Sequence, residues 1–146
     1  MIKLFTIGFA NKTAQKFFEL LSVNNVQKII DIRVNNTSQL SGFAKAKDLE
    51  FFAGKICNIS YTYMPDFAPT KELLSQYRVK KITWDEYTNQ YLELIKIRVV
   101  EKTINIEEFH NCCLLCSEHL PQQCHRRLLA EYLQSRFCNI EIHHLK

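Results

Sequence analysis

The chain has 146 residues, of which 47% are apolar and 23% charged, with three glycines and three prolines. This composition excludes a disordered chain, a collagen-like repeat or a long flexible linker, and the length fits one domain of the usual size, roughly 100–150 residues. The net charge of +4 is compatible with an anionic partner but falls short of the footprint of a dedicated nucleic-acid binder.

In chain order, Lys3–Phe9 reads as a first strand, and Thr13 caps a helix whose Phe17, Phe18, Leu20 and Leu21 share one face. The β-branched run Val26–Val34 is a second strand, followed by a polar loop over Asn35–Ser41. A helix is expected over Ala44–Ile56 with Leu49, Phe51 and Phe52 inward, then a strand over Ile59–Met64 stopped by Pro65. Ala68-Pro69-Thr70 introduces a helix through Tyr77. Thr83 and Glu86 form a capping box for another helix, which carries Tyr87, Tyr91, Leu92, Leu94 and Ile95. Asn111–Ser117 is a buried strand, Pro121 opens a helix through Phe137, and Ile140–Leu145 is a last strand. Alternating strands and helices predict an α/β fold: a single compact domain with a mostly parallel sheet of about five strands and helices on both faces.

No apolar run approaches the roughly 18–20 residues needed to span a bilayer, and Met1–Ala10 lacks the features of a signal peptide. The protein is therefore expected to be cytoplasmic, with no membrane partner. Its six cysteines (57, 112, 113, 116, 124 and 138) are expected to be reduced thiols.

Ligands of parallel sheets bind beyond the carboxyl ends of the strands, and those ends are the most polar points of this sequence. Asp31 and Arg33 share a face by the period of two, as do Cys112, Leu114, Cys116 and Glu118. If the second and fourth strands are neighbours, Arg33 pairs with Glu118 or shares an anion with it. The densest constellation is Cys116-Ser117-Glu118-His119-Leu120-Pro121-Gln122-Gln123-Cys124-His125-Arg126-Arg127. Its helical periodicity turns His125 toward the apolar face, flanked by Cys124 and Arg126, where desolvation demands partners. Free amides at a helix start favour an anion or a thiolate.

Three readings of this segment stay open. Cys116 or Cys124 is a nucleophile, with His125 as base or orienter and arginines holding an anion. Alternatively Cys113, Cys116, Cys124 and His125 bind zinc, although Cys113 and Cys116 face opposite sides of a regular strand. In the third reading the cysteines are packing residues and the His-Arg pair is a core network. Cys57 and Cys138 are expected to be buried packing residues, and one of His143 and His144 to face inward. Lys45, Lys47, Lys80 and Lys81 are expected to be solvated, and Trp84 to be a core anchor. No phosphate loop, serine elbow or dinucleotide fingerprint occurs, and no cofactor is expected.

The chain resembles the bacterial and archaeal family known as domain of unknown function 488. The likeness runs through Thr6-Ile7-Gly8-Phe9, Asp31-Ile32-Arg33, Asn35 to Leu40 and Gly42-Phe43-Ala44-Lys45. It continues through Pro65, Ala68-Pro69-Thr70, Trp84 and Tyr87 to Leu114-Leu115-Cys116-Ser117-Glu118 and Cys124-His125-Arg126-Arg127. The resemblance implies a compact α/β domain and recurring polar positions at Arg33, Asn35, Cys116, Glu118, Cys124, His125 and Arg126. It assigns no reaction. Many relatives carry a His where this chain reads Tyr61-Thr62-Tyr63-Met64, and another where it has Phe9.

The expected function is that of an enzyme on a small anionic substrate, nucleotide-like or phosphorylated. Cys116, Glu118 and His125 would be catalytic, with Cys116 as nucleophile or polar lining and Glu118 as general acid or base. Gly8, Arg33, Asn35, Cys124 and Arg126 would bind substrate, the two arginines holding the anion. A non-catalytic nucleic-acid or nucleotide-binding module using the Asn35–Gln39 loop is the alternative, and a zinc-bearing structural or regulatory protein a further one. Oligomeric state is not legible.

Overall fold

A computed structural model describes residues 1–37 and 42–146. Five strands, β1 (Ile2–Gly8), β2 (Lys28–Asp31), β3 (Ser60–Tyr63), β4 (Cys112–Cys116) and β5 (Ile140–His144), form one sheet in the order β3-β2-β4-β1-β5. All pairings are parallel. The helices are α1 (Ala14–Val23), α2 (Ala46–Cys57), α3 (Lys71–Arg78), α4 (Trp84–Arg98) and α5 (His125–Phe137).

Period-two alternation on the central strand splits the core in two. Cys112 and Leu114 pack with Leu73 of α3, Tyr87, Tyr91 and Ile95 of α4, and Leu128, Leu129 and Leu133 of α5. Cys113 and Leu115 face the other way, onto Phe17, Phe18 and Leu21 of α1 and Leu49 and Ala53 of α2. With helices on both faces, β4 is buried at all five positions, which is why its sequence is continuously apolar rather than alternating. The α/β class, the parallel sheet and the five strands are as the sequence predicts.

Local chemistry sets the helix starts. The hydroxyls of Thr13, Thr70 and Thr83 each accept a first-turn amide, from Lys16, Leu73 and Glu86. Glu86 returns the bond to the Thr83 amide, closing the predicted capping box.

Some boundaries differ from expectation. β2 is shorter than Val26–Val34, although the Ile32 amide still reaches the Leu115 carbonyl at 3.1 Å. α2 begins at Ala46 after a 3₁₀ turn over Gly42–Ala44, and Phe51 points outward, 58% exposed. Leu49 and Ala53, one turn apart, take the inward face, and Phe51 falls opposite them. The predicted loop over Asn35–Ser41 is described only as far as Thr37; residues 38–41 lie outside the described residues. Helix α5 starts at His125, not Pro121, because Cys124 is extended (φ −140°, ψ 139°) and serves as its N-cap. Cys138 is exposed rather than buried, since it closes α5 in the left-handed region at φ 58°. His143 and His144 are both half-buried, on the outermost strand at one edge of the sheet.

The connections leaving the neighbouring strands β1 and β4 run to opposite faces, α1 to one and α5 to the other. This is the switch point where a crevice is expected, but here it is filled. Arg126 is fully buried and donates from Nη1 to the Glu118 carbonyl (2.6 Å), from Nη2 to the His119 carbonyl (3.2 Å) and from Nε to the Thr6 hydroxyl (3.3 Å). Gly8 makes room for this: a Cβ there would sit 1.5 Å from the Glu118 carbonyl oxygen and 2.9 Å from Arg126 Nη1. Gly8→Ala is therefore expected to destabilise the fold by about 3 kcal/mol or more, the upper range for overpacking. A urea midpoint within error of wild type would contradict this account of Gly8.

Candidate active site

The open space lies one strand over, beyond the carboxyl ends of β2 and β4. A cavity of about 660 Å³ is bounded there by Arg33 to Asn35 after β2, by Cys116 to Glu118 at the end of β4, and by Gln123 to His125 at the start of α5. Helix α3 closes one side with Lys71, Tyr77 and Arg78, and α4 contributes Trp84 and Tyr87. Its size is typical of small-molecule sites, roughly 300–1,000 Å³.

Cys116, the last residue of β4, is 5% exposed. Its sulfur lies 3.5 Å from His125 Nδ1, and the other ring nitrogen, Nε2, is 2.7 Å from the Ile32 carbonyl. A carbonyl only accepts, so Nε2 carries a proton and Nδ1 is left facing the thiol. Tyr91 packs edge-on against the imidazole, with ring centroids 5.6 Å apart, and its own hydroxyl is bound to the Phe67 carbonyl at 2.7 Å. The ring therefore has a fixed position and tautomer.

The sulfurs of Cys116 and Cys124 and a ring nitrogen of His125 all lie within 4.8 Å of one another. A hydrogen bond from the Cys124 thiol, opposed by burial but joined by the charge and hydrogen bond of His125 and by the nearby Arg126 guanidinium, holds the Cys116 thiol well below its ordinary range. Burial and donation to Cys116 push the Cys124 thiol up. Burial disfavours protonated His125, but the Cys116 thiolate beside it and the Ile32 carbonyl outweigh this and raise its pKa. The lowered pKa of Cys116 and the raised pKa of His125 both favour a proton on the imidazole rather than on the Cys116 sulfur, while Cys124 keeps its own. Cys113 is not part of it: its side chain faces the α1–α2 side and burial pushes its pKa up. Burial also raises Cys112, to about 11. The four-ligand set of the zinc reading, which needs Cys113, is thus not assembled.

Arg33 does not pair with Glu118. Asp31, two residues back on the same face, chelates it: Nε donates to Oδ1 and Nη2 to Oδ2, both at 2.8 Å. The Asp31 carboxylate also accepts from the Arg33 amide (3.1 Å), Asn36 Nδ2 (3.4 Å) and the Tyr61 hydroxyl (2.5 Å). The guanidinium lies over the Phe9 ring, 5.5 Å from its centroid. Tyr61 and Phe9 thus hold the Asp31–Arg33 pair from two sides. Arg33 Nη1 is buried and has no hydrogen-bond partner among the described residues. On an arginine that lines the cavity, this nitrogen is a donor free to meet a ligand.

Of the predicted site residues, Cys116, Glu118, His125, Arg33, Asn35 and Cys124 all line the cavity. Glu118 is exposed at the rim, and the Asn35 side chain accepts from the Thr37 amide at 3.1 Å. Gly8 and Arg126 lie at the filled crevice instead, so Arg126 supports the floor rather than presenting a free cation. The sequence reading did not assign Lys71, Tyr77 and Arg78, which reach the cavity because α3 folds over the strand ends, or Gln123, which lines it from the loop before α5. The Tyr77 hydroxyl donates to Gln123 Oε1 at 2.9 Å across that join. Trp84 serves both as core anchor and as wall, stacked on Tyr87 at 5.2 Å. Lys45, Lys47, Lys80 and Lys81 are exposed as expected.

Fold and site together define a parallel α/β protein with a cysteine–histidine pair beneath a basic strand-end cavity. The chain belongs to the family described as domain of unknown function DUF488, whose model matches residues 13–133. No curated protein and no solved structure matches it. No helix among the described residues is long and apolar enough to cross a membrane.

Proposed function

We propose that this protein is a thiol-dependent enzyme acting on a small anionic substrate in the strand-end cavity. The observation that carries this reading is the position of the Cys116 sulfur, 3.5 Å from an oriented His125, in the same cavity as the orphaned Nη1 of Arg33. Cys116 is the nucleophile, and His125 keeps it ionised rather than taking its proton at each turnover. Arg33, with Lys71 and Arg78 on the α3 wall, holds the anion, and Glu118 at the rim acts as general acid or base.

Alkylation tests both halves of this reading without a known substrate. The exposed Cys138 serves as internal reference. Relative to iodoacetamide, the anionic reagent iodoacetate is expected to label Cys116 about tenfold more readily than it labels Cys138, a preference of the size local charge produces. Replacing both Lys71 and Arg78 by glutamine, which leaves the buried arginine pair intact, should shrink that preference. Equal ratios at the two cysteines would remove the anionic substrate. A zinc content near one per chain in tag-free protein would overturn the free-thiolate nucleophile, since the metal would occupy the same sulfurs.

A further inference from the structure

Cys124 is more than a hydrogen-bond donor to its neighbour. It sits at the joint between the loop after β4 and helix α5, in extended conformation, and its side chain makes no capping bond to the helix. Its sulfur is within 4.8 Å of the Cys116 sulfur, both are in the cavity wall, and both lie in the same buried trio with His125. Closing the gap between the two sulfurs to the roughly 2.05 Å of a disulfide needs a movement of under about 3 Å. Neither Cys113 nor Cys57 is placed to join them. Cys113 faces the opposite side of the sheet, and Cys57 is engaged with the Ser22 hydroxyl at 3.0 Å.

We propose that Cys116 and Cys124 are a redox-active dithiol that reduces small anionic disulfides, with Cys116 attacking and Cys124 resolving. This rests on the reading of Cys116 as nucleophile and adds a second catalytic thiol and a substrate class. The Cys116 thiolate attacks one sulfur of the substrate disulfide. The Cys116–substrate sulfur bond forms as the substrate S–S bond breaks, and the first product leaves as a thiolate, which takes the Cys124 proton. Cys124 then attacks the Cys116 sulfur, the Cys116–Cys124 bond forms, the mixed disulfide breaks, and the second product leaves as thiolate. The substrate gains two electrons and the protein dithiol loses two. Arg33 Nη1, Lys71 and Arg78 supply the charge complement for carboxylates on such a substrate.

The test mixes reduced protein, in a Cys138→Ser background, with one equivalent of dithiobis-nitrobenzoate, an aromatic disulfide bearing two carboxylates. The expected result is rapid release of two thiolates per reagent, no retained adduct, and a Cys116–Cys124 disulfide on peptide mapping. Cys124→Ser, which keeps a hydroxyl donor toward Cys116, should release one thiolate and trap the mixed disulfide at Cys116. Cys124→Ala serves if the serine variant folds poorly, with circular dichroism as the check. Wild-type protein that retains the adduct at Cys116 without forming the internal bond would overturn the dithiol while leaving the nucleophile standing. No reaction at Cys116, neither internal disulfide in wild type nor trapped adduct in Cys124→Ser, would overturn both.

Discussion

His125→Asn is expected to slow alkylation of Cys116 at neutral pH by about ten- to a hundredfold, because each unit of thiol pKa near neutrality is about tenfold in thiolate. Cys124→Ala should act in the same direction, since the Cys124 thiol and the His125 charge both favour the ionised sulfur. In wild-type protein the alkylation rate is expected to level off below the ordinary thiol range, near pH 8.5. In either variant the midpoint should move up toward that value. An unchanged profile in both would mean that Cys116 is not held as a thiolate.

The same pair has a stability signature. The lowered pKa of Cys116 contributes stability that is fully present above the unfolded thiol pKa and is lost as pH falls through the folded one. The raised pKa of His125 acts oppositely: its contribution is full below the unfolded imidazole pKa, about 6.5, and is lost as pH rises through the folded value. The thiolate–imidazolium pair therefore occupies the window between the folded pKa values of the two residues, the window in which a nucleophile of this kind would work.

Much of this site is legible as strand-end chemistry. Period two places Asp31 and Arg33 together, and Cys116 with Glu118, while helical period turns His125 inward. What periodicity cannot show is which partner consumes which charge. Arg33 had a carboxylate two residues away on its own face, and that proximity outweighed Glu118 across the sheet. Arg126 has the same residue type and the same burial as Arg33, yet its fate depends on the loop after β4 laying the carbonyls of Glu118 and His119 within its reach. The α3 wall depends on a helix packing over strand ends far from it in sequence, and no local pattern marks Lys71 or Arg78 as facing a cavity. Cys124 was expected inside a helix begun by Pro121. Its extended conformation, one residue before α5, is what frees the sulfur to meet Cys116.

Asp31→Asn is expected to cost about 3–5 kcal/mol, the penalty for leaving a buried charge without its counterion. Asp31 is fully buried, and its carboxylate is the common acceptor for Arg33, Asn36 and Tyr61. An asparagine keeps the shape but turns an NH₂ toward a site where the Arg33 guanidinium and amide and Asn36 Nδ2 all donate. Tyr61→Phe removes one of these bonds and leaves the ion pair, so about 1–2 kcal/mol is expected for it. Urea unfolding of both variants checks the order, and equal losses would mean that the charge matters no more than one hydrogen bond. The double variant Asp31→Leu with Arg33→Leu separates stability from function. With both charges gone, no ion is left buried alone, and much of the lost stability should return. The Nη1 contact in the cavity is lost in that background, so the preference of Cys116 for iodoacetate should fall toward that of Cys138. A stable double variant that kept the full preference would show that the anion is held by Lys71 and Arg78 alone, and that the buried arginine serves only the fold.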